Sequence, residues 1–93
     1  MRDQRIKTLG RVLKAMANER RLAIIKLLDQ KQPKTVGEIA EVISLSFPAT
    51  SRHLSLLEKA DILDKEQIST EVYYKLNPEW KRTLFSNLTK LRN

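Results

Sequence analysis

The sequence predicts a mainly α domain in which four helices are followed by a two-stranded β-hairpin and a last helix. Three observations carry the prediction. Apolar residues recur at helical spacing in five segments. Good N-cap residues, Asn18, Thr35 and Ser46, stand just ahead of three of them. After Ala60-Asp61 the helical period gives way to two short runs, Ile62–Ile68 and Val72–Leu76, joined by Ser69-Thr70-Glu71. A length of 93 residues suits one domain with a modest core.

The first helix, about 2–16, carries the stripe Ile6, Leu9, Val12, Leu13 and Met16, with Arg2, Arg5, Lys7, Arg11 and Lys14 opposite. Its stripe is short and lacks aromatics, so it suits another protein helix better than a membrane surface. Asn18 caps the second helix, and Glu19 complements the positive end of its dipole. Leu22, Ile24, Ile25, Leu27 and Leu28 make that helix apolar over much of its circumference, which marks it as the central core helix. It ends near Asp29–Lys31, ahead of Pro33. Thr35 and Glu38 have capping-box spacing and open a third helix carrying Val36, Ile39, Ala40 and Ile43.

Ser44-Leu45-Ser46 is then a short turn, with Ser46 as the next N-cap and Pro48 in the first helical turn. The fourth helix has two faces. Thr50, Leu54 and Leu57 form an apolar stripe, whereas Ala49, Ser51, Arg52 and Ser55 are small, hydroxylic or basic. Two short helices joined by about three residues have helix-turn-helix spacing. The hairpin lacks the Gly or Asn that tight turns favour. Asn77-Pro78 ends it and opens the last helix, where Trp80, Leu84, Leu88 and Leu91 sit four, four and three apart. A helix-turn-helix followed by a hairpin is a winged helix-turn-helix. The chain divides into a helix-turn-helix at about 35–60, a wing at about 62–76, and terminal helices at about 2–16 and 78–91. One small core cannot cover both terminal stripes, so a symmetric homodimer is expected. Ile6, Leu9, Leu13, Trp80, Leu84, Leu88 and Leu91 are its expected interface, with Trp80 as anchor.

Composition narrows the function. A formal charge of +7, from 18 Lys and Arg against 11 Asp and Glu, suits a polyanionic partner, most simply nucleic acid. With no cysteine there is no disulfide, thiolate nucleophile or thiolate metal site. Met1-Arg2-Asp3-Gln4-Arg5 carries no apolar signal region, and no apolar run approaches a bilayer span. A cytoplasmic protein without membrane association is expected. One histidine and no Gly-rich phosphate loop leave no catalytic constellation, so neither an enzyme nor a cofactor is expected.

The residues resemble a known family. Leu13-Lys14-Ala15-Met16-Ala17-Asn18-Glu19-Arg20-Arg21-Leu22 is similar to the first signature of ArsR-type (arsenic-repressor-like) winged-helix regulators. Val36-Gly37-Glu38-Ile39-Ala40 resembles their first helix-turn-helix element, and Leu45 through Leu54, continuing to Leu63, resembles the recognition helix and its exit. Val72-Tyr73-Tyr74-Lys75-Leu76 resembles the second wing strand. The resemblance implies a homodimeric repressor on a pseudo-palindromic operator, with the effector, small molecule or protein, unspecified. It departs from the family in three places. The segment Val36–Val42 lacks the cysteines of one metal site, and Pro78–Asn93 has Glu79 as its only acid and no histidine for the other, so neither familiar metal site is expected. At the wing tip, where relatives often carry Gly and Arg, stands Gln67-Ile68-Ser69-Thr70-Glu71, leaving Lys65 as the best wing contact to DNA.

On this reading Arg52 reaches a guanine edge or a phosphate, the plain alternative being a solvated arginine. Ser51 and Ser55 offer hydroxyl donors, and Ala49 can touch a thymine methyl. Phe47 braces the turn or stacks near the DNA backbone. His53 contacts a phosphate or bonds within the fold, and lacks companions for a metal. Ser46 serves more as a cap than as a reader, with its helix N-terminus suited to a phosphate. Tyr73 and Tyr74 read as strand packing. The competing function is a winged-helix protein-interaction module, which the acidic wing favours.

Overall fold

The structure, a computed structural model, describes residues 3–91; Arg2, placed above in the first helix, lies outside them. Five helices and a small sheet follow in the order α1 (Gln4–Met16), α2 (Glu19–Leu28), β1 (Lys34–Thr35), α3 (Val36–Ile43), α4 (Phe47–Lys59), β2 (Leu63–Ile68), β3 (Glu71–Leu76) and α5 (Trp80–Thr89). The caps stand where the sequence places them. The Asn18 side chain accepts from the Arg20 and Arg21 amides, Thr35 and Glu38 close a full capping box, and Ser46 accepts from the Ala49 amide. Asp3 caps α1 by accepting from the Arg5 amide.

Two features of the wing differ from the expectation. The sheet has three antiparallel strands in the order β1-β3-β2, because Lys34 and Thr35 pair with Tyr74 and Tyr73. A two-residue strand is too short to show a period, which is why the sequence hides it. Glu71 belongs to β3, opposite Ile68, so the turn is only Ser69-Thr70. Ser69 takes a left-handed φ of 59°, the tight-turn conformation usually supplied by Gly or Asn.

The core gathers one face from each of α1 to α4 with the start of β2 and Tyr74 of β3. Ile24, Leu28, Ile39, Leu54, Leu57, Ile62 and Leu63 are almost wholly excluded from solvent. Helix α2 supplies Ile24, Ile25 and Leu28, but Leu22 remains 48% exposed, so this helix is buried on one side rather than all round. Helix α3 closes with left-handed Ser44, and the Leu45 amide donates to the Ala40 carbonyl at 3.0 Å. That closure sets the three-residue turn into α4. At the far end of α4 left-handed Asp61 lets the Ile62 amide reach the Leu57 carbonyl at 3.0 Å, which starts the wing.

Helices α1 and α5 pack together, and the Arg5 guanidinium donates to the Lys90 carbonyl at 3.1 Å across the pair. A cation there complements the negative end of α5. Of the expected interface residues, Leu9 is already buried within the chain and cannot offer area to a partner. Trp80 and Leu84 pack against the chain's own core, and Ile6 is half-buried. Leu13, Leu88 and Leu91 stay exposed, joined by Phe85 at 58%.

Thr50 is fully buried, and its hydroxyl has no hydrogen-bond partner. A buried unsatisfied hydroxyl is destabilising, and valine has the same shape without it. Thr50→Val is expected to raise stability by about 1 kcal/mol in chemical denaturation. Destabilisation of that size would mean that the hydroxyl is satisfied in solution.

Candidate nucleic-acid interface

The two-faced character of α4 is realised in space. Thr50, Leu54 and Leu57 face the core with no exposure, which turns Arg52 outward and leaves Ala49, Ser51 and Ser55 half-exposed beside it. Among the described residues Arg52 has neither an ion-pair nor a hydrogen-bond partner, so its five donors stay available. Small side chains around one guanidinium let the helix backbone approach the floor of a major groove.

An open cleft of about 430 Å³ separates the start of α4 from the wing. Phe47 and Ser51 line its helix side, and Lys65, Glu71, Val72 and Tyr74 line its strand side, so one acid shares the opening with the lysine. Lys65 is therefore brought to the same opening as Ser51, as a wing contact requires. Phe47 is 58% exposed at this cleft, open to a partner there. The Ser46 hydroxyl accepts from the Ala49 amide in its cap, and its O–H remains a donor beside the helix N-terminus, which suits a phosphate. Glu66, Gln67, Ile68 and Glu71 are all exposed towards the wing tip, an acidic and apolar end that repels phosphate.

His53 makes a bond within the fold. Its Nδ1 accepts from Arg21 Nε at 3.0 Å, which puts the proton of the neutral ring on Nε2. That second nitrogen remains a donor. Arg21 Nη1 also donates to the Lys14 and Ala15 carbonyls, both at 3.3 Å, so one guanidinium ties the end of α1 to the middle of α4. Arg20 does the same for the turn, donating from Nη1 to the Ile43 carbonyl at 2.6 Å and the Ser44 carbonyl at 3.3 Å. It supplies positive charge where α3 ends. Sequence reasoning missed this pair as positioning residues. A signal existed: two arginines in the first turn of a helix oppose its dipole, so they need partners elsewhere.

Burial, and then the nearby charges of Arg21, Arg52 and Arg20, hold the His53 pKa below its ordinary 6.5. The Tyr74 hydroxyl is pushed up by burial and by Glu58. Among the described residues no three His, Cys, Asp or Glu side chains are gathered where they could hold a metal ion. No helix of the described residues is long and apolar enough to cross a membrane.

Comparison with known proteins agrees with this geometry. Residues 18–65 match the family described as "Bacterial regulatory protein, arsR family". The transcriptional repressor SdpR of Bacillus subtilis is 33% identical over 69 residues, 74% of this chain and 76% of that protein. The transcriptional activator HlyU of Vibrio cholerae is 36% identical over 81 residues, 86% of this chain and 73% of that protein. Among solved structures, a homodimeric winged helix-turn-helix DNA-binding domain of a possible ArsR-family regulator from Mycobacterium bovis superposes with a TM-score of 0.77 at 30% identity, covering 90% of this chain and 77% of that one.

The depressed His53 pKa has a definite sign. Below pH 6.5 the unfolded chain takes up this proton before the folded one does. Stability conferred by neutral His53 is thus complete above pH 6.5 and declines as the pH falls through the folded value. Thermal melts between about pH 5 and 8 are expected to show this decline, and His53→Asn, which keeps an acceptor but does not titrate, is expected to flatten it. A slope unchanged in His53→Asn would assign it to other groups.

Proposed function

The chain belongs to the ArsR family of bacterial regulatory proteins, and on that premise we propose that it is a cytoplasmic, sequence-specific repressor that binds a pseudo-palindromic operator as a homodimer, independently of the family's familiar metal sites. The observation that carries the reading is the outward face of α4, where Arg52 stands free among Ala49, Ser51 and Ser55. Arg52 reads a base edge, with Ala49, Ser51 and Ser55 against neighbouring edges or phosphates. Phe47, the N-terminus at Ser46, His53 Nε2 and Lys65 serve the flanking backbone. The charge of +7 supplies the general attraction.

Pairing places two such helices in successive major grooves about 34 Å apart. Leu13, Phe85, Leu88 and Leu91 support a dimer face along α1 and α5, since side chains of this size seldom stay exposed together. The half-buried Ile6, Trp80 and Leu84 brace that face from below and border it.

Gel shifts on DNA upstream of the gene, run across a salt series, test the reading. Binding is expected to be site-selective and to weaken steeply with salt. Arg52→Ala is expected to cost roughly 1–3 kcal/mol and to relax preference at one position. Equal weakening on every sequence would make Arg52 a phosphate contact. Absence of selective binding at low salt would favour the interaction module, for which the exposed Ile68 and the acidic wing tip speak.

The interface has its own measurement. Leu88→Glu puts a charge on the outer side of α5 without touching the chain's own core, and is expected to halve the mass in solution while preserving helicity. An unchanged mass would remove α5 from the interface.

A further inference from the structure

A second cleft, of about 500 Å³, lies between the end of α2, the root of the wing and the start of α5. Its size falls within the range of small-molecule sites. We propose that it binds a small aromatic anion. Leu28, Leu76 and the indole of Trp80 give it an apolar lining. Lys31, Lys75 and Lys81 stand around that lining, against Asp29 as the one acid among the residues of the cleft. None of the three lysines has an ion-pair partner among the described residues. Apolar walls with a few convergent charges are what a ligand with a ring and a carboxylate requires.

Two local details support this occupant. The Lys81 ammonium lies over the Trp80 ring, 5.9 Å from its centre, so a cation and an aromatic surface stand together at the cleft. Lys31 occupies a left-handed φ of 66°, where glycine would be easier, and yet places a long cationic side chain at the cleft.

The cleft is also a joint. Asn77, in its wall, donates to Asp64 of β2 at 3.2 Å and accepts from the Glu79 amide at 2.8 Å, linking the wing to the turn before α5. A ligand touching both sides biases the angle between the wing and the dimer helix. Its effect on operator affinity rests on the function proposed above; its binding does not. By linkage, whatever factor the ligand imposes on operator affinity, the operator imposes on ligand affinity.

Trp80 is the only tryptophan, so its emission reports on the cleft. The full chain is titrated with 3-phenylpropionate and with the neutral 3-phenylpropionamide. The acid is expected to give a saturable change, with affinity about tenfold weaker for the amide and for the exposed double variant Lys31→Gln/Lys75→Gln, whose melting temperature is unchanged. No saturable response, or an equal response to acid, amide and double variant, overturns the proposal, the latter because it describes nonspecific adhesion to apolar surface. A ligand-free gel shift on the same preparation keeps the two readings apart. Protein that shifts DNA but ignores the acid overturns the cleft alone, and protein that binds the acid but no DNA upholds the cleft and overturns the repressor.

Discussion

Helix α4 has one rotational setting because Thr50, Leu54 and Leu57 are withdrawn from solvent completely, and an α-helix cannot bury one face without committing the opposite one. Burial of this stripe against Ile24, Ile39 and Ile62 is therefore what aims Arg52 outward. The setting along the helix axis comes from the two ends. Ser46 caps the start, left-handed Asp61 turns the chain at the finish, and slippage by a turn would undo both. Everything proposed for DNA depends on this one burial.

Polar contacts then hold the motif to the rest of the domain. Arg20 and Arg21 leave the first turn of α2 in different directions, one to the end of α3 and one to His53 and the end of α1. Their position against the α2 dipole is offset by Glu19 and by the cap that Asn18 makes to the same two residues' amides. Each guanidinium thus carries cationic charge to carbonyls that close a helix, where such charge is stabilising. Two of the 18 Lys and Arg side chains behind the net charge of +7 are thus in part structural.

The wing divides the labour differently from the helix. Its root is built into the core through Leu63 and Tyr74, and its β3 edge is covered by β1. Its tip carries Glu66, and at the α4 cleft the positive charge of Lys65 stands beside the negative charge of Glu71. The sequence discrimination proposed above therefore falls on α4. The wing root serves as a wall shared with α5, the place where a bound anion could be felt by both.

Much of this was legible in the residues themselves. The helices, their caps and the two faces of α4 follow from spacing and side-chain chemistry that act within a few residues. The turns were harder, since among the described residues all four left-handed positions, Lys31, Ser44, Asp61 and Ser69, are non-glycine, and both glycines lie inside helices. Strand β1 was invisible because it exists only through its pairing with Tyr73 and Tyr74. The same limit applies to the site. That α4 presents Ala49, Ser51, Arg52 and Ser55 together is a property of its period, determined by the sequence alone. That Arg21 engages His53 across 32 positions of chain, that Leu9 is consumed within its own fold while Leu88 is not, and that three lysines meet Trp80 at one cleft were decided by the tertiary structure. Such contacts depend on how separate elements are brought together, and no local periodicity encodes that.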